Sequence, residues 1–288
     1  MLRATGRARR RKLVNRLAES FATLAALAAV AVLALVVGSV FLKGVRALSW
    51  EFVTATPVTF GETGGGIAHA IVGSALIVLV AAAIAVPVGV LVAIYVTEFA
   101  PMPVRRTVRL ALDVLNGVPS IVIGIFVFAL LVAGHHQSAL AGSVALAVIM
   151  LPLVARSTQE VLLLVPGHLR EASLALGASR WRTVVGVVLP AAVGGIATGA
   201  TLAVARAAGE TAPLLFTTSV APTTVATDVR EAVASIPLTI FQYAEAPDPA
   251  LNEQAWAAAF VLIAFVLVLS VGSRAALARS RRKLGDAR

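Results

Sequence analysis

The chain alternates long apolar runs with short polar connections. Six runs stand out, at residues 20–42, 71–96, 114–133, 139–155, 184–208 and 255–272. Most approach or exceed the roughly 20 mainly apolar residues that a helix needs to cross a bilayer. They are continuous and rich in Ala and Leu rather than alternating, which speaks for helices and against the strands of a barrel. In hydrocarbon, a helix satisfies its own backbone hydrogen bonds. The pattern predicts an all-α polytopic membrane protein with six transmembrane helices.

Composition sharpens this reading. At 59% hydrophobic, 13% charged and a mean hydropathy of +0.94 over 288 residues, no soluble globular class fits. The net charge of +10 does not signal nucleic acid, because the basic residues sit between apolar runs rather than on one face of a soluble fold. With no cysteine, disulfides, thiol nucleophiles and thiolate metal sites are excluded.

The basic residues also set an orientation. With six spans, all but Lys43, Arg46, Arg230 and Arg206 of the 24 Lys and Arg residues fall on one face. They lie in the two tails, at Arg105, Arg106 and Arg109, and at Arg156, Arg170, Arg180 and Arg182. That asymmetry predicts cytoplasmic N- and C-termini in a multi-pass protein of the cell inner membrane. The first run follows a basic tail as a signal peptide does, but it is too long for a signal core and is expected to be an uncleaved anchor.

The expected organisation is a basic tail (1–19), a first transmembrane helix (20–42), an external loop (43–66), a transmembrane domain (67–274) and a second basic tail (275–288). The glycines of the external loop precede no Lys-Ser or Lys-Thr, so there is no phosphate-binding P-loop. His135 and His136 share a short turn with no nearby Cys, Asp or Glu, which reads as solvated sequence rather than a metal site.

The connection between runs four and five, spanning 158–183, includes VPGHLREASLALGASRWRT. Residues 171–176 read as a short helix that Gly177 ends or bends. Glu171 and Ala172, then Gly177, then Leu189 and Pro190 resemble the coupling loop of ABC importer permeases. Ser173 stands where that pattern has a second Ala, and Val187 where it has Ile. The stretches AIVGSALIV, VLNGVPSIVIGIFVF, ARAAGETAPLLF and SIPLTIFQYA extend the likeness over residues 66–274 to the permease subunits of phosphate ABC importers.

The resemblance implies the type I ABC importer permease fold, and a role in forming the translocation pathway and coupling it to a cytosolic ATPase. It implies a sister permease as partner, two copies of that ATPase, an external phosphate-binding protein and surrounding lipid. ATP and Mg would be bound by the ATPase, leaving this chain without a cofactor. Glu171, Ala172, Ser173 and Gly177 would couple to the ATPase. A sulfate or molybdate importer permease, or the sister subunit of the phosphate importer, are the alternatives. The Thr-Ala-Pro continuation at residues 211–213 and the SIPLTIF stretch favour phosphate. A membrane enzyme would need a nucleophile with its base, or a metal set, and neither stands out.

Run five ends ATLAVARAAGETAPLLF, with Arg206 and Glu210 in apolar sequence. A charge at the centre of a spanning helix costs about 2.5–3.5 kcal/mol, so both need a reason to be there. On a continuous helix, positions four apart share a face, and Gly195, Gly199 and Pro213 point the same way. Such a face serves either close packing or a lumen. Arg206 and Glu210 are accordingly either substrate-pathway residues, joined by resemblance by Thr211, or a structural ion pair. Asn116 and Ser120 flank Pro119, where capping and packing explain them, with lining of the route implied by resemblance. Pro87 predicts a kink in run two.

Overall fold

The computed structural model describes residues 6–58, 64–219 and 224–285, and every element among them is helical. Helix α1 (Gly6–Ala47) outruns the first apolar stretch at both ends. The short α2 (Trp50–Thr54) is capped by Ser49, whose hydroxyl accepts from the Phe52 N–H at 3.0 Å. Helix α3 (Ala68–Ile94) continues into a π-helical turn, Tyr95–Phe99, and stays unbroken across Pro87.

The third run departs from its prediction. Instead of one helix over 114–133, the chain forms α4 (Met102–Gly117) and α5 (Ser120–Val127), the latter continued by a π-helical turn, Phe128–Val132. The two meet at 96°. Val118 precedes a proline and takes extended angles (φ −69°, ψ 129°), as the clash with the following proline ring demands.

Helix α6 (Ala139–Leu164) starts at a Ser138 cap and runs well past residue 155. Residues 156–160 are polar, but Arg156, Gln159 and Glu160 are good helix formers and the helix continues to Leu164, so hydropathy stops before the helix does. Beyond it lie α7 (Gly167–Ala175), α8 (Arg180–Thr183) and a π-helical turn, Val184–Val188. Helices α9 (Leu189–Ala207), α10 (Ala212–Thr217), α11 (Ile236–Glu245) and α12 (Pro249–Gly285) complete the chain. Among the described residues five helices are long and apolar enough to span a membrane, and six when the bent α4–α5 pair counts as one.

The centre of the bundle is α3 against α6. Ile77, Ala81 and Ala85 meet Leu146 and Met150, and Ala207, Ala208, Leu214 and Leu238 close the cluster. Small residues permit this approach: a Cβ on Gly89 would lie 2.9 Å from the Val154 Cβ. That is how helices pack in lipid, where no hydrophobic force draws them together. At one end Phe52, Ile67 and Ala70 bury against Ala234, Ile236, Ala257 and Ala258. At the other, Ala93, Ile94, Leu162, Val165, Val184 and Val188 form a third cluster. Helix α1 stands outside the bundle, its Phe41 ring meeting Phe260 of α12 edge-on at 5.7 Å.

Candidate functional site

Helix α9 lies along α6 through its glycines. A Cβ on Gly195 would strike the Val161 side chain at 2.5 Å, and one on Gly199 would overlap Ser157. The small face read from the sequence is therefore a packing face over these two turns. Arg206 lies at the end of the stripe, in the last turn of α9, and is exposed.

The helix does not continue to Glu210. It ends at Ala207, the Gly209 N–H donates to the Arg206 carbonyl at 3.1 Å, and the Glu210 N–H donates to the Ala207 carbonyl at 3.1 Å. Pro213 in the first turn of α10 is the reason, since in a continued helix its ring would clash with the carbonyl of Gly209. The expected contact of an i, i+4 pair on one continuous helix is not made. Among the described residues the ion pairs within 4 Å are Arg156–Asp113 and Arg170–Glu98, and neither the Arg206 nor the Glu210 side chain has a hydrogen-bond partner there.

The turn nevertheless brings both charges to one cavity of about 210 Å³, whose polar lining is Asn116, Ser120, Arg206 and Glu210. Leu115, Val118, Pro119, Ile123, Ile149 and Leu153 form the apolar walls. Asn116 and Ser120 reach it because the chain bends between them. The π-continued α5 is held in place by α10, where Gly124 lies so close to Pro213 that a Cβ would come within 2.6 Å of the Pro213 Cα. Thr211 opens α10 and is half-buried, but it does not line this cavity.

A second cavity of about 370 Å³ shares Asn116, Leu153 and Arg206 with the first and extends along α6 past Arg156, Ser157 and Glu160. Arg206 thus stands where two spaces meet. Its guanidinium carries five donors suited to bidentate contact with an oxyanion, and among the described residues no carboxylate pairs with it. The first cavity is smaller than the roughly 300–1,000 Å³ usual for drug-sized ligands, which suits a small ion.

The segment 165–183 forms a separate feature at the α6–α9 junction. Gly177 takes φ +83°, its N–H donates to the Leu174 carbonyl at 2.9 Å and the Ala178 N–H to the Ser173 carbonyl at 3.2 Å. This is a left-handed glycine closing a helix. Glu171 and Ala172 are exposed on α7, and the Ser173 hydroxyl pairs with the Thr183 hydroxyl at 2.9 Å. No residue of α7 is buried. His136 lies elsewhere, its Nε2 3.1 Å from the Arg230 carbonyl oxygen.

Sequence reasoning missed two pairings. Asp113 with Arg156 joins α4 to α6, and Glu98 with Arg170 joins the end of α3 to α7. The partners are 43 and 72 residues apart, beyond any local spacing rule. The only signal was an acidic residue among basic ones on the same face of the membrane.

Residues 85–284 match the family described as binding-protein-dependent transport system inner membrane component. The chain is 40% identical over 241 residues to the phosphate transport system permease protein PstA of Yersinia pestis, covering 83% of this chain and 81% of that one. It is 39% identical over 277 residues to the protein of the same name from Xylella fastidiosa strain Temecula1, covering 95% and 96%. Among solved structures, an inward-facing methionine ABC transporter, MetNI, superposes with a TM-score of 0.56 at 23% identity, covering 72% of this chain and 91% of that one. An amino acid ABC transporter gives 0.52 at 16% identity, with coverage of 75% and 92%. These two likenesses concern the fold.

Proposed function

The chain belongs to the binding-protein-dependent transport system inner membrane component family, and from that premise we propose that it is the permease subunit of an ATP-driven phosphate importer. The observation that carries the reading is the cavity in which Arg206, Glu210, Asn116 and Ser120 converge. Similarity over nearly the whole chain to proteins named as phosphate transport permeases supports phosphate as the solute.

In this reading phosphate meets Arg206, whose charge offsets the loss of the anion's hydration. Asn116 and Ser120 supply further hydrogen bonds. Glu210 faces the same space without binding Arg206, so it lowers the local positive potential while leaving the guanidinium free. Phosphate is therefore attracted but not trapped, as conduction requires. Thr211 positions the α9–α10 turn rather than touching the solute.

The excess of basic residues at the α7 end supports a cytoplasmic position for it. There α7 presents Leu169 and Leu174, with Leu176 just beyond its end, all exposed, as the seat for a cytosolic ATPase, two copies of which serve the complex and carry its ATP and Mg. The exposed Arg206 side of the bundle faces a sister permease, and an external phosphate-binding protein delivers the solute to the opposite end.

The test is co-purification from native membrane followed by reconstitution into vesicles. Accumulation of labelled phosphate on addition of ATP and binding protein, with neither sulfate nor molybdate accumulated, supports the assignment. Accumulation of sulfate or molybdate instead overturns it.

A further inference from the structure

One side chain ties the α7 segment to the membrane helices. Arg170 donates from Nη2 to Glu98 Oε1 at 2.8 Å and to the Leu162 carbonyl at 2.8 Å, from Nη1 to the Val165 carbonyl at 2.6 Å, and from Nε to Glu98 Oε2 at 3.4 Å. Leu162 lies in the last turn of α6 and Val165 caps it, where carbonyls lack their regular helical partner; the Leu162 carbonyl also accepts from the Val165 N–H at 3.3 Å. Glu98 belongs to the π-helical turn that finishes α3. A single guanidinium therefore joins α3, α6 and α7. Its side chain is 23% exposed and that of Glu98 only 11%, so solvent screens this pair far less than a surface one.

The second arm of the segment returns to the same turn. Phe99, next to Glu98, meets the Trp181 ring of α8 with centroids 6.2 Å apart. Ser173 and Thr183 bridge the two arms through their hydroxyls at 2.9 Å. No residue of α7 is fully buried, and its remaining contacts are chiefly with α8 and the π-helical turn Val184–Val188 rather than with α3 or α6. A push on its exposed face reaches α3 and α6 through Arg170. Those two helices pack closely on each other, and α6 carries α9 with Arg206.

From this geometry we infer that the Arg170–Glu98 pair is a positioning link that converts displacement of α7 into movement of α3 and α6. It sets how much solute moves per ATP rather than whether the protein folds. The inference rests on the proposed docking of an ATPase at α7. Arg170 and Glu98 act through other residues and touch no solute. Lysine is a poor substitute at 170, because a point charge does not reproduce a fork that spans a carboxylate and two carbonyls.

The experiment uses the complete complex in vesicles and measures phosphate uptake and ATP hydrolysis in the same sample. For Arg170→Gln, Glu98→Gln and the double variant, the phosphate-to-ATP ratio is expected to fall about 5-fold or more. The double variant should be no worse than the worse single, because the two residues act as one unit. Uptake and hydrolysis that fall together at a constant ratio indicate a merely structural contact and overturn the inference, as does an unchanged ratio at normal rates. If Arg170→Gln does not assemble, Glu98→Gln carries the test alone, since it leaves Arg170 on its two α6 carbonyls. Failure of the unmodified complex to import phosphate on ATP counts against the transport assignment, and is read in the control before any variant is compared.

Discussion

Arg206 and Glu210 line the same cavity without touching, because the helix that would have paired them ends at Ala207. A closed pair at successive turns of one helix would be a resting structure whose cation is already satisfied. An open guanidinium with a carboxylate across a small space is instead suited to an anion that must bind and leave.

The first prediction follows from that separation. Arg206→Gln is expected to lower kcat/KM for phosphate about 10- to 100-fold, the worth of a hydrogen bond to a charged group, with assembly unchanged. Glu210→Gln should tighten apparent binding and slow turnover, so KM falls together with kcat. Uptake kinetics and complex yield measure both. Recovery of full transport by the charge-swapped double variant, Arg206→Glu with Glu210→Arg, would show that the two side chains form a structural pair after all.

A second prediction concerns the packing that shapes the cavity. A Cβ at Gly124 meets backbone atoms of Pro213, and backbone that starts a helix has little room to yield. Gly124→Val should therefore destabilise the complex by about 1–3 kcal/mol and shift α10, with Glu210 just before it. Gly272→Ala is the control, since nothing lies within 4 Å of its added carbon. Thermal unfolding of the purified complex distinguishes them, and equal midpoints for the two variants contradict the packing described.

The Arg156–Asp113 pair makes a contrasting case. Its side chains are 35% and 56% exposed, and pairs of that kind contribute about 0–1 kcal/mol. Asp113→Asn should leave the unfolding midpoint nearly unchanged. A large loss would mean that the pair is shielded within the assembled transporter.

The sequence was most legible where one physical term dominates. Five of the six apolar runs announced helices long and apolar enough to span a membrane, because length and hydropathy are what such a helix requires, and Gly177 announced the end of α7 because few other residues adopt its angles. Legibility failed where chain direction changes inside apolar sequence. The α4–α5 bend at Val118-Pro119 and the end of α9 at Ala207 both follow from a proline, but a proline in a spanning helix also permits continuation, as Pro87 and Pro152 demonstrate. Which outcome holds depends on neighbours, such as Gly124 against Pro213, that only the fold supplies. The site residues Arg206, Glu210, Asn116 and Ser120 were visible as oddities of composition. That they share one cavity was not, since it required α4, α5, α6 and α9 in place.

Orientation yields the third kind of test. Reporter fusions after Arg16 and after Arg282 are expected on the cytoplasmic side, and a fusion within residues 244–254 on the external side. The last of these lies where α11 gives way to α12, at the opposite end of the bundle from α7. An external reading at either terminus contradicts the orientation and moves the ATPase seat away from α7.

The final prediction isolates backbone geometry at Gly177. Nothing lies within 4 Å of a carbon added there, so any effect of substitution arises from φ +83° and not from a clash. Asparagine tolerates left-handed angles, whereas a β-branched residue resists them at a cost of about 1–2 kcal/mol. Gly177→Asn should transport nearly as well as the unmodified protein. Gly177→Val should relax the turn, pull α8 from α7 and break the Ser173–Thr183 bridge, so that α7 stays joined to α3 and α6 through Arg170 but no longer moves with α8 and the start of α9. The expected result is continued ATP hydrolysis with reduced phosphate uptake in a complex of normal yield. If valine performs as well as asparagine, the left-handed turn has no part in coupling and the segment is only a connection between α6 and α9.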